Sequence, residues 1–506
     1  MGAILPTAGL QALILCGPGT SFGTLLDQEK TPKCLALIAN RPMIYYPLKF
    51  CMISDISSEL ETIRHRSAFA CCEELLIVSD VTLIAPPSAL ASIKSALQQN
   101  PYLKSLPMPK VVAPQDLQPT MATAQLLRLP EVQSCIISDF FLLPCDLVCE
   151  FEGTYLLKMW MASQGQAIMA EENRHRRGGL CMYYRGEDAV KDESLNLIAI
   201  EPARSSQRLS KLLMSIGMDT VKRNMERDKG FLLRQSFTKR QATQAKMLTG
   251  YRDAHLYIFP YWVKDLARRQ ERLESISEDL IGLWAKSAWQ RGLHEKLGMN
   301  TCLSQQKESQ ENDYRGLSTI THQPPRNHVP EVPPLLAYLH TGSTPLVRRV
   351  DNPALLLSTS LRLAKLGSTE DVGHTAPFAH DRKIVSPDCV AANCFISKDD
   401  CLLGSDVVVE RHSVIKESCI GPNSKICSGA RITRCVILDG VVIGERCVLT
   451  GCIVGSRSHI GNDSVLKDCE VQEGNVVPEE TEATNEKFMP LFEDLEEDTG
   501  IFANSC

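Results

Sequence analysis

The stretch LGSDVVVERHSVIKESCIGPNSKICSGARITRCVILDGVVIGERCVLTGCIVGSRSHIGNDSVLKDCEVQEGNVV (residues 403–477) decides the architecture of this chain. An aliphatic residue returns in steps of six, six and five, at Leu403, Val409, Ile415, Ile420, Ile426, Ile432, Ile437, Ile443, Leu449, Val454, Ile460, Leu466, Val471 and Val477. The repeat is therefore 17 residues and holds for four periods. That is the register of a triangular coil of hexapeptide repeats, in which each face is one short strand and each anchor points inward. Burying an aliphatic anchor is worth roughly 1.5–3 kcal/mol, and stacked coils share that gain. A β-sandwich has no reason to keep such a register, so residues 384–478 read as a left-handed parallel β-helix. Ile384, Val390 and Ile396 predict an irregular first coil. Gly421, Gly444, Gly455 and Gly461 stand directly after anchors, where a corner is expected to need permissive backbone.

Residues 1–299 have a different texture. Apolar runs at 10–15 (LQALIL), 74–79 (ELLIVS), 135–138 (CIIS), 196–200 (NLIAI) and 254–259 (AHLYIF) are separated by helical-looking stretches such as 86–98 and 153–164. Alternation of this kind predicts an α/β domain, Rossmann-like, with a largely parallel sheet. Residues 300–383 read as a linker with docking segments. The polar run 303–313 and the proline-rich 324–334 come first, then apolar patches at 333–340 and 353–366, the second with helical spacing.

Composition limits the rest. An apolar share of 44% and a charged share of 23% are those of an ordinary globular protein. No run reaches the roughly 20 apolar residues of a membrane-spanning helix. The start of the chain lacks the features of a secretory signal, so a cytosolic protein is expected. The 20 cysteines are scattered without a C-x-x-C pair, which favours small buried thiols over a zinc site. From Glu479 onward the charge is −8, while the preceding body carries only +2. A near-neutral body argues against nucleic acid as a direct ligand. Residues 479–506 read as an acidic, disordered tail. The basic run ENRHRRGG (172–179) reads as a surface loop.

The segment LILCGPGTSF…TPKCLALIANRPMIYYPL (13–48) resembles the signature of the sugar-nucleotide pyrophosphorylases, a family that joins a nucleotidyltransferase domain to a hexapeptide β-helix. The resemblance implies a glycine-rich turn that offers N–H groups to a nucleotide's phosphates, an Arg for the pyrophosphate and a Lys after Pro. In this chain Gly17, Gly19 and Thr20 remain, but the turn is one residue short and Pro18 removes a donor. Ser21 stands at the Arg position, and the surviving Lys33 lacks the guanidinium's planar fork. MATAQLLR (121–128) has Ala122 where the family has Gly, and IEPA (200–203) lacks the family's Lys. LPCDLV (143–148) resembles the metal-carboxylate segment, which makes Asp146 the position from which Mg²⁺ would be held. Asp253 reads either as a second carboxylate or as a turn cap before a strand. Fold markers persist while charge-bearing positions are lost. No catalytic residue, cofactor or resident metal is therefore expected.

Several segments are similar to the gamma subunits of eukaryotic translation initiation factor 2B: RDAHLYIFPYWV (252–263), MDTVKRN (218–224), RRGGL (176–180), LPCDL (143–147) and residues 333–366. That resemblance implies a non-catalytic subunit that pairs with an epsilon subunit and other subunits of one complex. It would contact the initiator-tRNA-carrying GTPase complex, translation initiation factor 2, and support its guanine-nucleotide exchange. The epsilon subunit has a helical-repeat domain after its β-helix, and too few residues follow Pro478 for one here. Two other readings stay open. One is an active sugar-1-phosphate nucleotidyltransferase, with Lys33 on phosphate and Asp146 on Mg²⁺. The other is a hexapeptide acyltransferase using His412 or His459, although these occupy different places relative to their anchors.

Overall fold

The computed structural model describes residues 10–27, 30–54, 78–169, 178–186, 193–202, 208–235, 237, 245–303, 332–372 and 376–489. Residues 172–177 of the basic run, 304–331 of the expected linker and 490–506 of the expected tail lie outside the described residues. The chain divides into two compact units. The first comprises Met1–Thr20, Gln28–Thr359 and Ala376–Phe378; the second comprises Ser21–Asp27, Ser360–Thr375 and Ala379–Cys506. Among the described residues no helix is long and apolar enough to cross a membrane.

The first unit is an α/β region built on a nine-stranded sheet. Its strands are β1 (Leu10–Leu15), β2 (Val78–Ile84), β3 (Lys110–Val112), β4 (Phe140–Pro144), β5 (Gly179–Arg185), β6 (Asn196–Glu201), β7 (Ser210–Gly217), β8 (Lys246–Phe259) and β9 (Leu335–His340), in the spatial order β3-β2-β1-β4-β8-β5-β9-β7-β6. Helices of this unit include α1 (Tyr45–Ile53), α2 (Leu90–Gln99), α3 (Gly153–Met169), α4 (Met218–Asp228) and α5 (Trp262–Arg269). Strand β1 is parallel to both neighbours, β2 and β4, and its near-continuous apolar run suits a strand covered on both faces. The main core gathers Phe140, Tyr183, Phe259, Trp262 and Trp284, with the two indoles edge-on at 4.9 Å.

Two expectations need correction here. The sheet is mixed rather than largely parallel: β8 runs antiparallel to β4, β5 and β6, and β7 antiparallel to β6 and β9. The link from Glu201 to Ser210 is shorter than the dozen or so residues a parallel crossover needs, so β6 and β7 pair antiparallel. The run CIIS is not a strand. Cys135 ends a helical turn begun at Pro130, the strand follows at Phe140–Pro144, and Gln11 Oε1 accepts from the Ile137 and Ser138 amides in the turn between.

The second unit contains three parallel sheets of six, six and five short strands that close into a parallel β-helix. Register along one face runs Leu403, Ile420, Ile437, Val454, Val471, Phe488, and the other faces keep the same 17-residue offset. Every anchor named from the sequence is buried and belongs to one core cluster. The first coil is irregular, as expected: Ile384 pairs with Leu403 and Val390 with Val409, two residues longer than the repeat. Pairing also continues beyond Val477 into the segment expected as tail, through Glu482–Thr484 and Lys487–Phe488, with Ala483 and Phe488 against the core. Within this unit Ser21–Asp27 lies against the coil at 470–473. The Glu473 amide donates to Leu25 O at 3.0 Å, Gln472 Nε2 to Gly23 O at 2.8 Å, and Thr24 Oγ1 to Glu470 Oε2 at 2.5 Å.

The glycines after anchors serve a purpose other than the expected one. The left-handed corner residues are His412, Asp406, Asn423, Arg434, Arg446 and others, mostly not glycine. Gly421 has no positive φ. A Cβ on it would stand 2.5 Å from the Leu438 carbonyl carbon of the next coil, and on Gly455 2.5 Å from the Glu473 amide nitrogen. These positions give room for coil stacking.

Candidate functional site

In an open α/β sheet, ligands bind beyond the carboxyl ends of the parallel strands. A cavity of about 430 Å³ opens at the other end, between Gln11, Leu48, Thr82, Lys110 and Cys135. The charged cluster lies at the carboxyl ends instead. Strand β1 leads to Cys16 and the Gly17–Thr20 turn, and β4 leads to Asp146.

Lys33 opens a single helical turn, Lys33–Leu35, after Pro32. Its Nζ donates to Asp146 Oδ2 at 2.7 Å. Gly19 sits at φ +74, and a Cβ there would meet Lys33 Cβ at 2.5 Å, so glycine allows the turn to close over the lysine stem. Gly17 and Thr20 are exposed and take no part in the cluster's ion pairs. Asp146 is joined from the other side by Arg349, carried on the short strand Val347–Arg349, which pairs antiparallel with Leu147–Cys149. Arg349 Nε donates to Asp146 Oδ1 at 3.2 Å and Nη2 to Oδ2 at 3.3 Å. Burial alone would raise the Asp146 carboxyl, but Arg349 and then Lys33 hold it well below the usual carboxylate range. Burial opposes charge on Lys33 and Arg349 also, and Asp146 raises both. Asp146 is held between two cations in a buried clamp whose remaining positive charge faces Asp351, and removing one member of such a set costs about 3–5 kcal/mol.

A second layer surrounds the clamp. Asp351 lies 3.8 Å from Arg349 and accepts from Arg252 Nη2, while Glu193 lies 3.5 Å from Arg252 Nη1. Tyr184 OH accepts from the Arg349 amide at 3.2 Å. Beneath the turn, hydrogen bonds with Cys145 and Cys34, then burial, push the Cys16 thiol up.

Asp253 lies inside β8 at an irregularity of the strand rather than in a turn before it. Its Oδ1 accepts from the His255 amide at 2.8 Å and its Oδ2 from Tyr257 OH at 2.6 Å. Burial raises its carboxyl to about 6 against these bonds. The structure thus brings Lys33 to Asp146, while Asp253 goes to its own strand. Among the described residues no group of three or more His, Cys, Asp or Glu is placed to hold a metal ion. A divalent cation at Asp146 would also stand beside two buried cations, so the donor set does not fit one. Arg128, in the MATAQLLR segment, spends its guanidinium on the carbonyls of Ala267, Gln270 and Leu273. His412 and His459 are exposed on separate coils.

Sequence reasoning missed Arg349, Asp351 and Arg252. The alternation Arg349-Val350-Asp351 on either side of a buried valine was the available signal, and it acquires meaning only once Val347–Arg349 pairs beside Asp146.

The GMPPB C-terminal domain family model matches residues 397–491, the β-helix. Translation initiation factor eIF2B subunit gamma of Schizosaccharomyces pombe is 25% identical over 294 residues, which is 58% of this chain and 55% of that protein. The chain is similar to an eIF2B gamma subunit. The aligned part spans about half the length of that relative, 55%.

Proposed function

We propose that this chain is a non-catalytic subunit of a translation initiation factor 2B complex, built on a nucleotidyltransferase-like domain followed by a left-handed β-helix. In this reading it works in the cytosol, pairs with an epsilon-type subunit and contacts the initiation GTPase complex whose nucleotide exchange it supports. The likeness to the eIF2B gamma subunit supports membership of the complex. The observation that carries the non-catalytic part is the clamp: both oxygens of Asp146 are taken by Lys33 and Arg349. Phosphoryl chemistry depends on positioned, available charges, and here the charges answer one another. The shortened Gly17–Thr20 turn and Ser21 add to this.

The test is a pull-down of the tagged full chain from cytosolic extract, with bound proteins identified by mass spectrometry and GDP release assayed on the recovered complex. Recovery of an epsilon-type subunit together with the GTPase is expected. A chain that comes down alone, or pyrophosphate-dependent turnover of a nucleotide sugar lost in Asp146→Asn, overturns the reading. The latter result would favour an active sugar-1-phosphate nucleotidyltransferase, the alternative to which the pyrophosphorylase-like signature at 13–48 points.

A further inference from the structure

Away from the clamp, the first unit has a smaller core made of Leu197, Ala199, Leu213, Met214, Val221, Phe237 and Trp289, with Met218 and Phe231 against it. Its apolar surface does not stop at the solvent boundary. Met225 lies one helical turn beyond Val221 on α4 and is 49% exposed. Leu232 and Leu233 follow the packed Phe231 and are 80% and 37% exposed. Met247 stands opposite Ala199 in the β8–β6 pairing, on the same face as that core residue, and is 41% exposed. Four large apolar side chains thus extend one core outward, where scattered single residues would need no explanation.

The rim of this patch is cationic. Arg227 and Asp228 cancel in an ion pair at 3.0 Å. Lys222 then flanks the Val221–Met225 stripe with Glu226 beside it, Lys229 closes the helix, and Arg234 follows Leu233. Lys286 adds to them from beneath: burial, then the proximity of Arg234, pushes its ammonium down, with Asp279 opposing. Like charges gathered around an apolar patch cost free energy in the free protein and repay it when an opposite charge arrives.

We infer that this rim is a docking surface for a partner protein's acidic amphipathic segment, one that presents leucine or phenylalanine side chains at helical spacing among carboxylates. The apolar side chains would cover Met225, Leu232, Leu233 and Met247, and the carboxylates would meet the neighbouring lysines and Arg234. The inference stands apart from the proposed function, since it needs neither the clamp nor the likeness to a gamma subunit.

The probe is a fluorescein-labelled peptide of about four helical turns, with Leu and Phe at i, i+3 and i+4 spacing and Glu elsewhere. It would be titrated by anisotropy into the full chain. Saturable binding is expected. It should weaken at least about 10-fold, or 1.4 kcal/mol, for the scrambled peptide, for a Glu-to-Lys version, and for the Leu232→Glu/Leu233→Glu protein. Lys222→Glu/Arg234→Glu should weaken binding and flatten its salt dependence. Because these side chains are exposed, unchanged melting of each variant checks that folding is intact. Binding of the scrambled or the Glu-to-Lys peptide as tight as that of the probe, equal binding by the Leu232→Glu/Leu233→Glu protein, or no binding overturns the inference. So does a dimer of the wild-type chain in sedimentation that Leu232→Glu/Leu233→Glu dissolves, which would make a second copy the occupant.

Discussion

Asp146 and Asp253 are both buried carboxylates, and their surroundings push them in opposite directions. Cations bonded on either side hold Asp146 ionised, whereas burial raises Asp253 to about 6 against the Tyr257 hydroxyl, the His255 amide and, after them, the charges of Arg349 and Arg252. A carboxyl with an unfolded value near 4 and a folded value near 6 takes up a proton on folding between those values. Its contribution to stability is complete below about 4 and lost as pH rises through about 6. Asp253→Asn cannot ionise, and its amide can still meet the His255 amide and the Tyr257 hydroxyl. The variant should therefore lose the fall in stability between pH 4 and 7, and be about 2 kcal/mol better placed relative to wild type at pH 7 than at pH 4. Urea unfolding of both proteins across that range checks this, and parallel pH profiles would refute it. Lys33 and Asp146 could be singled out from the sequence because each stands in a recognisable local segment. Arg349 could not, because its partner is distant in sequence and the pairing is made by the sheet.

At the scale of elements, two kinds of β-helix glycine make opposed demands. Gly440 belongs to a column of left-handed corners with Asp406, Asn423 and Arg457, at φ 66, 56, 57 and 59. A Cβ there meets nothing nearer than Arg457 Cγ at 3.5 Å. Gly440→Ala should cost only the strain of the conformation, about 1 kcal/mol. Gly421 is conformationally ordinary, but its Cβ would press on the backbone of the next coil at 2.5 Å. Backbone held by stacked hydrogen bonds cannot move aside as a side chain can. Gly421→Ala should cost about 2–3 kcal/mol, the upper range of overpacking, and shift the unfolding midpoint in guanidinium more than Gly440→Ala. The reverse order would show that the corners set the limit. The anchors were legible because a period held over four repeats leaves one solution. The mixed sheet was not, since strand order depends on which edges meet. Nor was β9, which reads only as an apolar patch at 333–340 until it pairs between β5 and β7.

For the molecule as a whole, the proposed scaffold role separates shape from charge. If the cleft serves only to hold its own fold, one cation of the clamp can be replaced by an apolar chain of similar length without loss of service. Lys33→Met is the informative choice. It leaves Asp146 with Arg349, whose Nε and Nη2 lie 3.2 and 3.3 Å from the two carboxylate oxygens. The methionine stem can follow the same path past Gly19. Some stability will be lost, so the comparison belongs at matched amounts of assembled complex, where partner binding also offsets the loss by mass action. GDP release from the GTPase, measured on complexes reconstituted with wild-type or Lys33→Met chain, should then agree within about twofold, a difference below 0.5 kcal/mol. A drop of tenfold or more in a complex of normal composition would mean that the Lys33 charge takes part in exchange, and the cleft would then count as a working surface rather than a support.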